Sequence, residues 1–518
     1  MRAWLARASL ISAIGGALWG PATTGFSAYE AGQKMTANRD FVGAAAEYFQ
    51  SYSSPRSAQE RVFSEWGLAK SLQSLGLYYS SSKYFSQIVR RGSTPSNPYF
   101  RRGLEELGQI NNTVALGQSH IVQLVKEDSL PPENVPQAAR GFYYYYLGED
   151  NFSREKYEKA AELLKRVPSS SSYFGKAQFH LGVIANRGGQ HSRAISYFES
   201  TRESAGADAW VREQSALNIA RVHYETKNYT EALKYYAQIS RESDNWLEAI
   251  FESAWTFFMM AKHNNVLGNI HTLHSPFFQS RFFPESYLLE AITYLRLCRY
   301  DAVQASLERF RDANKPIFTD INSVLKEYKS KKTDMFKLVY DYRNGSLSSY
   351  KNAWAILDSL SRSDAYKEAY RSVRYSDSEI AQLSRMGGKW ASAGLTEELK
   401  DFLGKKKQLA KVNSGNRLYD QAASSVAYMR DLVSQTRGIQ AERMEGQVDT
   451  IRRALNVTQA NDRKVFIGGL QPLKVDQQLE YWPFMGEYWE DELGYYVYNL
   501  DDQCGTEASK AGKKPGEK

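Results

Sequence analysis

The 518-residue chain has only two cysteines, which excludes a scaffold built on disulfides. It has little excess charge of either sign. Its 66 Lys and Arg against 58 Asp and Glu leave a formal +8, too even for a histone-like or polybasic binder. Long apolar runs are missing beyond the first twenty residues, so nothing further on is expected to cross a membrane. The usual signatures of chemistry are missing too: no P-loop, dinucleotide glycine motif, nucleophile elbow or HExxH occurs. The seven histidines are scattered; His271 and His274, with His263 nearby, have no cysteine or carboxylate at ligand spacing and read as a chance pair. The expectation is therefore a non-enzyme with no cofactor, no metal and no nucleic-acid partner. What is present argues for a folded chain: 13% aromatic and 24% charged residues, with length for two or three domains.

Residues 1–28 read as a signal peptide. Arg2 and Arg7 precede an apolar run over 8–20, too short to span a bilayer and about right for a signal-peptide core. A cut after Ala22 has Gly20 at −3, and a cut after Ala28 has the poorer Phe26 there. No cysteine follows the run to carry a lipid. The mature protein is expected to be soluble after signal cleavage in an oxidising envelope compartment, periplasmic or outer-membrane-associated.

Self-similarity dominates residues 29–311. The clearest unit, 173–201, reads YFGKAQFHLGVIANRGGQHSRAISYFEST. Gly182 and Ala194 stand where two antiparallel helices approach closely, Leu181 and Phe198 fill the space beside them, and Gly188-Gly189 turns the chain. Decayed copies carry Leu68, Ala69, Gly76 and Phe85; Gly148 and Ala160; Ala220, Ala232 and Tyr236; Ala254 and Val266; and Ala291 and Val303. From Ala194 through Ala232 and Val266 to Val303 the steps are 38, 34 and 37 residues. Weaker pairs are expected over 28–52 and 98–124. Leu181, Gly182, Ala185, Gly189, Ala194 and Phe198 resemble the small-and-large pattern of the tetratricopeptide (TPR) family, whose period is about 34 residues, with Gln178 in place of its tryptophan. The resemblance implies an all-α, right-handed superhelical solenoid whose concave groove holds a segment of a protein partner.

The pattern changes after Phe310. Residues 312–470 read as a helical module. It has two basic stretches, one at Lys326, Lys329, Lys331, Lys332 and Lys337, the other at Lys400, Lys405, Lys406, Lys407 and Lys411. Ser376 and Glu379 read as a capping box opening a helix over 380–386. Apolar spacing over 419–455 predicts a long amphipathic, coiled-coil-like helix. Residues 471–504 contain the aromatic block EYWPFMGEYWEDELGYYVY, in which Trp482, Phe484, Glu487 and Trp489 are candidates for docking or glycan contact. Its expected role is a cap on the solenoid with the acids outside. The alternative is carbohydrate contact, because rings stack on sugars and an apolar wall raises a carboxyl pKa. Residues 505–518 read as a disordered tail. Cys298 and Cys504 either form one long-range disulfide or remain a buried thiol and a tail thiol. Function is expected to be non-catalytic scaffolding in the bacterial cell envelope. The rival readings are glycan contact in cell-wall or exopolysaccharide work, including peptidoglycan association, and peripheral binding to anionic membrane through the lysines.

Overall fold

The computed structural model describes residues 27–116, 135–204, 207–278, 281–457 and 488–504. Every regular element among them is helical. The first are α1 (Ala28–Ala37), α2 (Phe41–Ser53), α3 (Ala58–Ser74), α4 (Tyr78–Arg90) and α5 (Phe100–Thr113). Then come α6 (Arg140–Ser153), α7 (Tyr157–Leu164), α8 (Phe174–Arg187), α9 (His191–Glu203), α10 (Ala209–Glu225), α11 (Tyr229–Tyr236), α12 (Trp246–Met259) and α13 (His263–Leu273). The remainder are α14 (Glu285–Arg296), α15 (Tyr300–Tyr328), α16 (Met335–Arg343), α17 (Trp354–Arg362), α18 (Asp364–Leu383), α19 (Lys389–Ala393) and α20 (Leu395–Val457). Helices adjacent in the chain pack against each other as pairs. Packing divides the described residues into two units: 27–103 with 379–401, and 104–378 with 402–504.

One turn builds most of these pairs. Between α1 and α2, α3 and α4, α6 and α7, α8 and α9, α10 and α11, α12 and α13, and α14 and α15 the chain reverses in three residues. The middle residue is left-handed each time: Arg39, Gly76, Glu155, Gly189, Lys227, Ala261 and Cys298, with φ between 53° and 76°. Two hydrogen bonds close each turn. At the α8–α9 turn, Gly189 N–H donates to the Asn186 carbonyl and Gln190 N–H to that of Ala185, both at 2.9 Å. This is a Schellman motif, which satisfies carbonyls that the helix end leaves open. From Gly189 through Lys227 and Ala261 to Cys298 the steps are 38, 34 and 37 residues, the spacing of the small residues in the sequence.

In the first unit, Ser27 and Glu30 form a capping box that opens α1. The Tyr48 ring lies where Gly32 and Gly67 carry no side chain; a Cβ on either would sit 2.8 or 2.6 Å from it. Leu68, Ala69 and Phe85 are fully buried. Trp390 of α19 is buried too, and its indole N–H donates to the Val42 carbonyl at 2.7 Å. Gly76, grouped with the packing positions by sequence, is instead a turn residue: a Cβ there would touch nothing.

The capping box expected at Ser376 and Glu379 does not form. α18 runs through both positions from Asp364, because Ala365, Tyr366, Ala369 and Val373 already bury a helical stripe upstream. Glu379 instead caps a different helix. Its carboxylate accepts from the N–H groups of Tyr79 (2.6 Å) and Ser80 (3.0 Å) and from the Ser80 hydroxyl (2.7 Å). These belong to the first turn of α4, whose own N-cap residue, Leu77, has no side-chain acceptor.

In the second unit a Cβ on Gly148 would lie 2.6 Å from Leu164, and one on Gly182 would lie 2.6 Å from the Phe198 ring. Ala160, Ala194, Ala220, Ala232 and Ala254 are fully buried, with Leu181 and Tyr236 nearly so. α15 continues through Pro316 for 29 residues, so positions 311 and 312 fall inside one helix. α20 has 63 residues; it includes the lysines at 400–411 and starts well before residue 419. Ile321, Val324, Met335, Leu357, Tyr366, Leu418 and Val426 form the core that joins α15, α16, α17, α18 and α20.

Candidate functional site

Residues 488–504 cross the second unit without helix or strand, against α12, α13 and α14. Their burial alternates: Leu493, Tyr496, Tyr498 and Leu500 face the helices, while Tyr495, Val497 and Asn499 face outward. Two-residue alternation is the signature of an extended chain lying on a surface.

The helices hold this segment chiefly by its backbone. Tyr498 N–H donates to the Asn264 carbonyl at 3.1 Å. The Asn264 side chain accepts from Leu500 N–H at 3.0 Å and donates to the Leu500 carbonyl at 3.3 Å. Gly494 N–H donates to Thr272 Oγ1 at 2.8 Å, and Gln503 N–H to the Leu297 carbonyl at 3.1 Å. The guanidinium of Arg299 donates to the Asp501 carbonyl at 3.1 Å, and that of Arg241 to the Glu490 carbonyl. Gly268 makes the closest approach: a Cβ there would stand 1.7 Å from the Tyr496 carbonyl oxygen. Of the side chains, Leu493 packs with Trp246, and the His271 ring stacks on Tyr488 at 4.2 Å and meets Tyr496 edge-on at 4.8 Å.

Cys504 is disulfide-bonded to Cys298, the left-handed residue of the α14–α15 turn. The bond therefore fastens the end of the segment to a hairpin turn. Of the two states open to these cysteines from sequence, the structure selects the disulfide.

Among the aromatic-block candidates, Trp482, Phe484 and Glu487 lie outside the described residues, as do the signal segment to residue 26 and the tail from 505. Trp489 is 54% exposed, and Glu490, Asp491 and Glu492 are exposed around it. The described block lies along α12–α14, so Leu493, Tyr496 and Tyr498 cover the sides of internal hairpins.

His271 and His274 both make contacts inside the fold. His271 stacks as above, and His274 shares a 2.8 Å hydrogen bond with the Ser286 hydroxyl while its ring stacks on Tyr287. Burial, with Arg309 nearby, pushes the His274 pKa down to about 3. Burial, with Lys176 nearby, pushes that of His180 down to about 4. Glu149 goes the other way: burial, reinforced by Glu368, pushes its carboxyl up to about 7.

Much of the lysine charge meets partners within the chain. Lys331 pairs with Glu327 at 2.9 Å, Lys332 with Asp420 at 3.1 Å, Lys337 with Asp341 at 2.5 Å and Lys407 with Asp377 at 2.7 Å. Lys406 donates to the Leu116 carbonyl. The expected amphipathic stripe of α20 divides in two. Val426, Met429, Leu432 and Ile439 are buried, whereas Val433, Met444, Val448 and Ile451 are exposed. Between α15 and α20 opens a cavity of about 710 Å³, lined on its apolar side by Leu307, Phe310, Phe318, Met429, Val433 and Met444. Among the described residues no helix is long and apolar enough to cross a membrane.

No family model matches the chain, and neither does any curated protein.

Proposed function

We propose that this chain is an exported, non-catalytic scaffold of the bacterial envelope, built from TPR-like hairpins stacked as a right-handed solenoid, that holds a segment of another protein. Recurrence of one hairpin turn at steps of 34 to 38 residues supports the repeat architecture. The disulfide favours an oxidising compartment. A cut after Ala22 retains Ser27, whose capping box opens α1, and a cut after Ala28 removes it. The observation that carries the binding role is the exposed apolar row Val433, Met444, Val448 and Ile451 beside the open cavity of α15 and α20. An exposed apolar row along one helix face suits the docking of another polypeptide segment.

The test is a photocrosslinking residue at Met444 of the full-length protein, irradiated in intact cells. The expected result is one discrete protein adduct that disappears when Val433→Asp is added. Absence of any adduct from folded, exported protein overturns the scaffold reading.

A further inference from the structure

We propose that the face of α12–α14 beneath residues 493–503 is a binding site for an extended peptide, and that the chain's own C-terminal segment is its resident occupant. The proposal rests on the scaffold reading and assigns it a second, specific recognition surface. Helix faces that pack on other helices present side chains to side chains. This face addresses main chain instead. Asn264 engages backbone groups of Tyr498 and Leu500, Thr272 those of Gly494, and Arg299 those of Asp501. Such contacts accept any residue, while pockets at alternate positions select side chains, the division of labour in strand-like peptide recognition.

Gly268 supports the same conclusion. It lies in the middle of α13, where glycine weakens a helix relative to alanine. The 1.7 Å that a Cβ would leave to the Tyr496 carbonyl supplies its reason: the helix surface is cut down to admit a backbone. The opposite constraint acts on the occupant. A Cβ at Gly494 would stand 2.9 Å from the Trp246 ring, so the ligand needs glycine there. Read from Leu493, the pattern that fits is apolar, Gly, any, aromatic, any, aromatic, any, Leu. A partner bearing that pattern competes with a copy carried on the same chain, and the Cys298–Cys504 bond strengthens the resident's hold.

The test uses a full-length variant that releases the segment and keeps the groove: Leu493→Asp, Tyr496→Asp and Cys504→Ser. The probe is a fluorescein-labelled synthetic peptide of residues 488–503, read by anisotropy. Saturable micromolar binding is expected, at least tenfold weaker when Asn264→Ala or Gly268→Leu is added, and at least tenfold weaker for oxidised wild type, whose groove is filled. If the charged substitutions disturb the fold, Tyr496→Gly with Cys504→Ser serves for the same measurement. A released protein with native helicity that ignores the peptide overturns the proposal, and so does binding indifferent to Gly268 and Asn264. Either failure leaves the scaffold reading intact, since that reading is tested at α20 through other residues.

Discussion

Glycine has two separate duties in this chain. At Gly182 a Cβ would strike the Phe198 ring, whereas at Gly189 a Cβ would meet nothing and only the φ of 70° asks for glycine. Gly182→Leu is therefore expected to destabilise by roughly 2–3 kcal/mol through overpacking, and Gly189→Ala by about 1 kcal/mol through backbone strain. Urea midpoints separate the two; equal losses would undo the distinction. The same turn carries Arg39, Glu155, Lys227, Ala261 or Cys298 elsewhere, so its sequence signal is faint. Left-handed backbone costs a non-glycine residue only about 1–2 kcal/mol, which the two closing hydrogen bonds and the helix packing offset. Lys227→Gly should accordingly raise stability by up to about 1 kcal/mol, seen as a higher urea midpoint. Glu149 adds a pH signature. Its carboxyl ionises near 7 in the folded protein and near 4.5 in the unfolded chain, so the folded state holds the proton more tightly. Its contribution is complete below pH 4.5 and is lost as pH rises towards 7. Glu149→Gln should match wild type at pH 4 and exceed it by a margin that grows to at most roughly 3 kcal/mol above pH 7. A constant margin across that window would show that the carboxyl is not held protonated.

Among the elements, α4 depends on a carboxylate some 300 residues away in sequence. Glu379→Ala leaves the Tyr79 and Ser80 N–H groups buried without their acceptor, an expected loss of about 2–3 kcal/mol. Hydrogen exchange should locate the damage at the first turn of α4, with Glu379→Gln restoring part of the protection; uniform acceleration across the first unit would argue against a capping role. The S-x-x-E pattern was legible, but its meaning was not. It marks a helix start only where the residues before it are not already helical, and Ala365, Tyr366, Ala369 and Val373 make them so. α20 was legible in its later half from apolar spacing. Its first turns were hidden because Leu395, Leu399 and Leu403 bury one row while Lys400 and the lysines from 405 to 411 read as a surface stretch.

Across the second unit, a single covalent bond ties residue 504 to residue 298. Alkylation without reductant should label no cysteine in the native protein. Cys504→Ser should lower thermal stability, with loop entropy setting a ceiling of about 5 kcal/mol for so long a loop. Labelling of both thiols in unreduced protein would reject the bond. The sequence by itself determined the helical class and the spacing of the hairpins, because these follow from periodicity within about forty residues. Only tertiary structure decided that Glu379 serves α4, that Cys298 meets Cys504, and that Gly268 makes room for Tyr496. Each joins residues more than two hundred positions apart, and a hydrogen bond, a disulfide or a missing Cβ leaves no periodic trace in the chain that forms it.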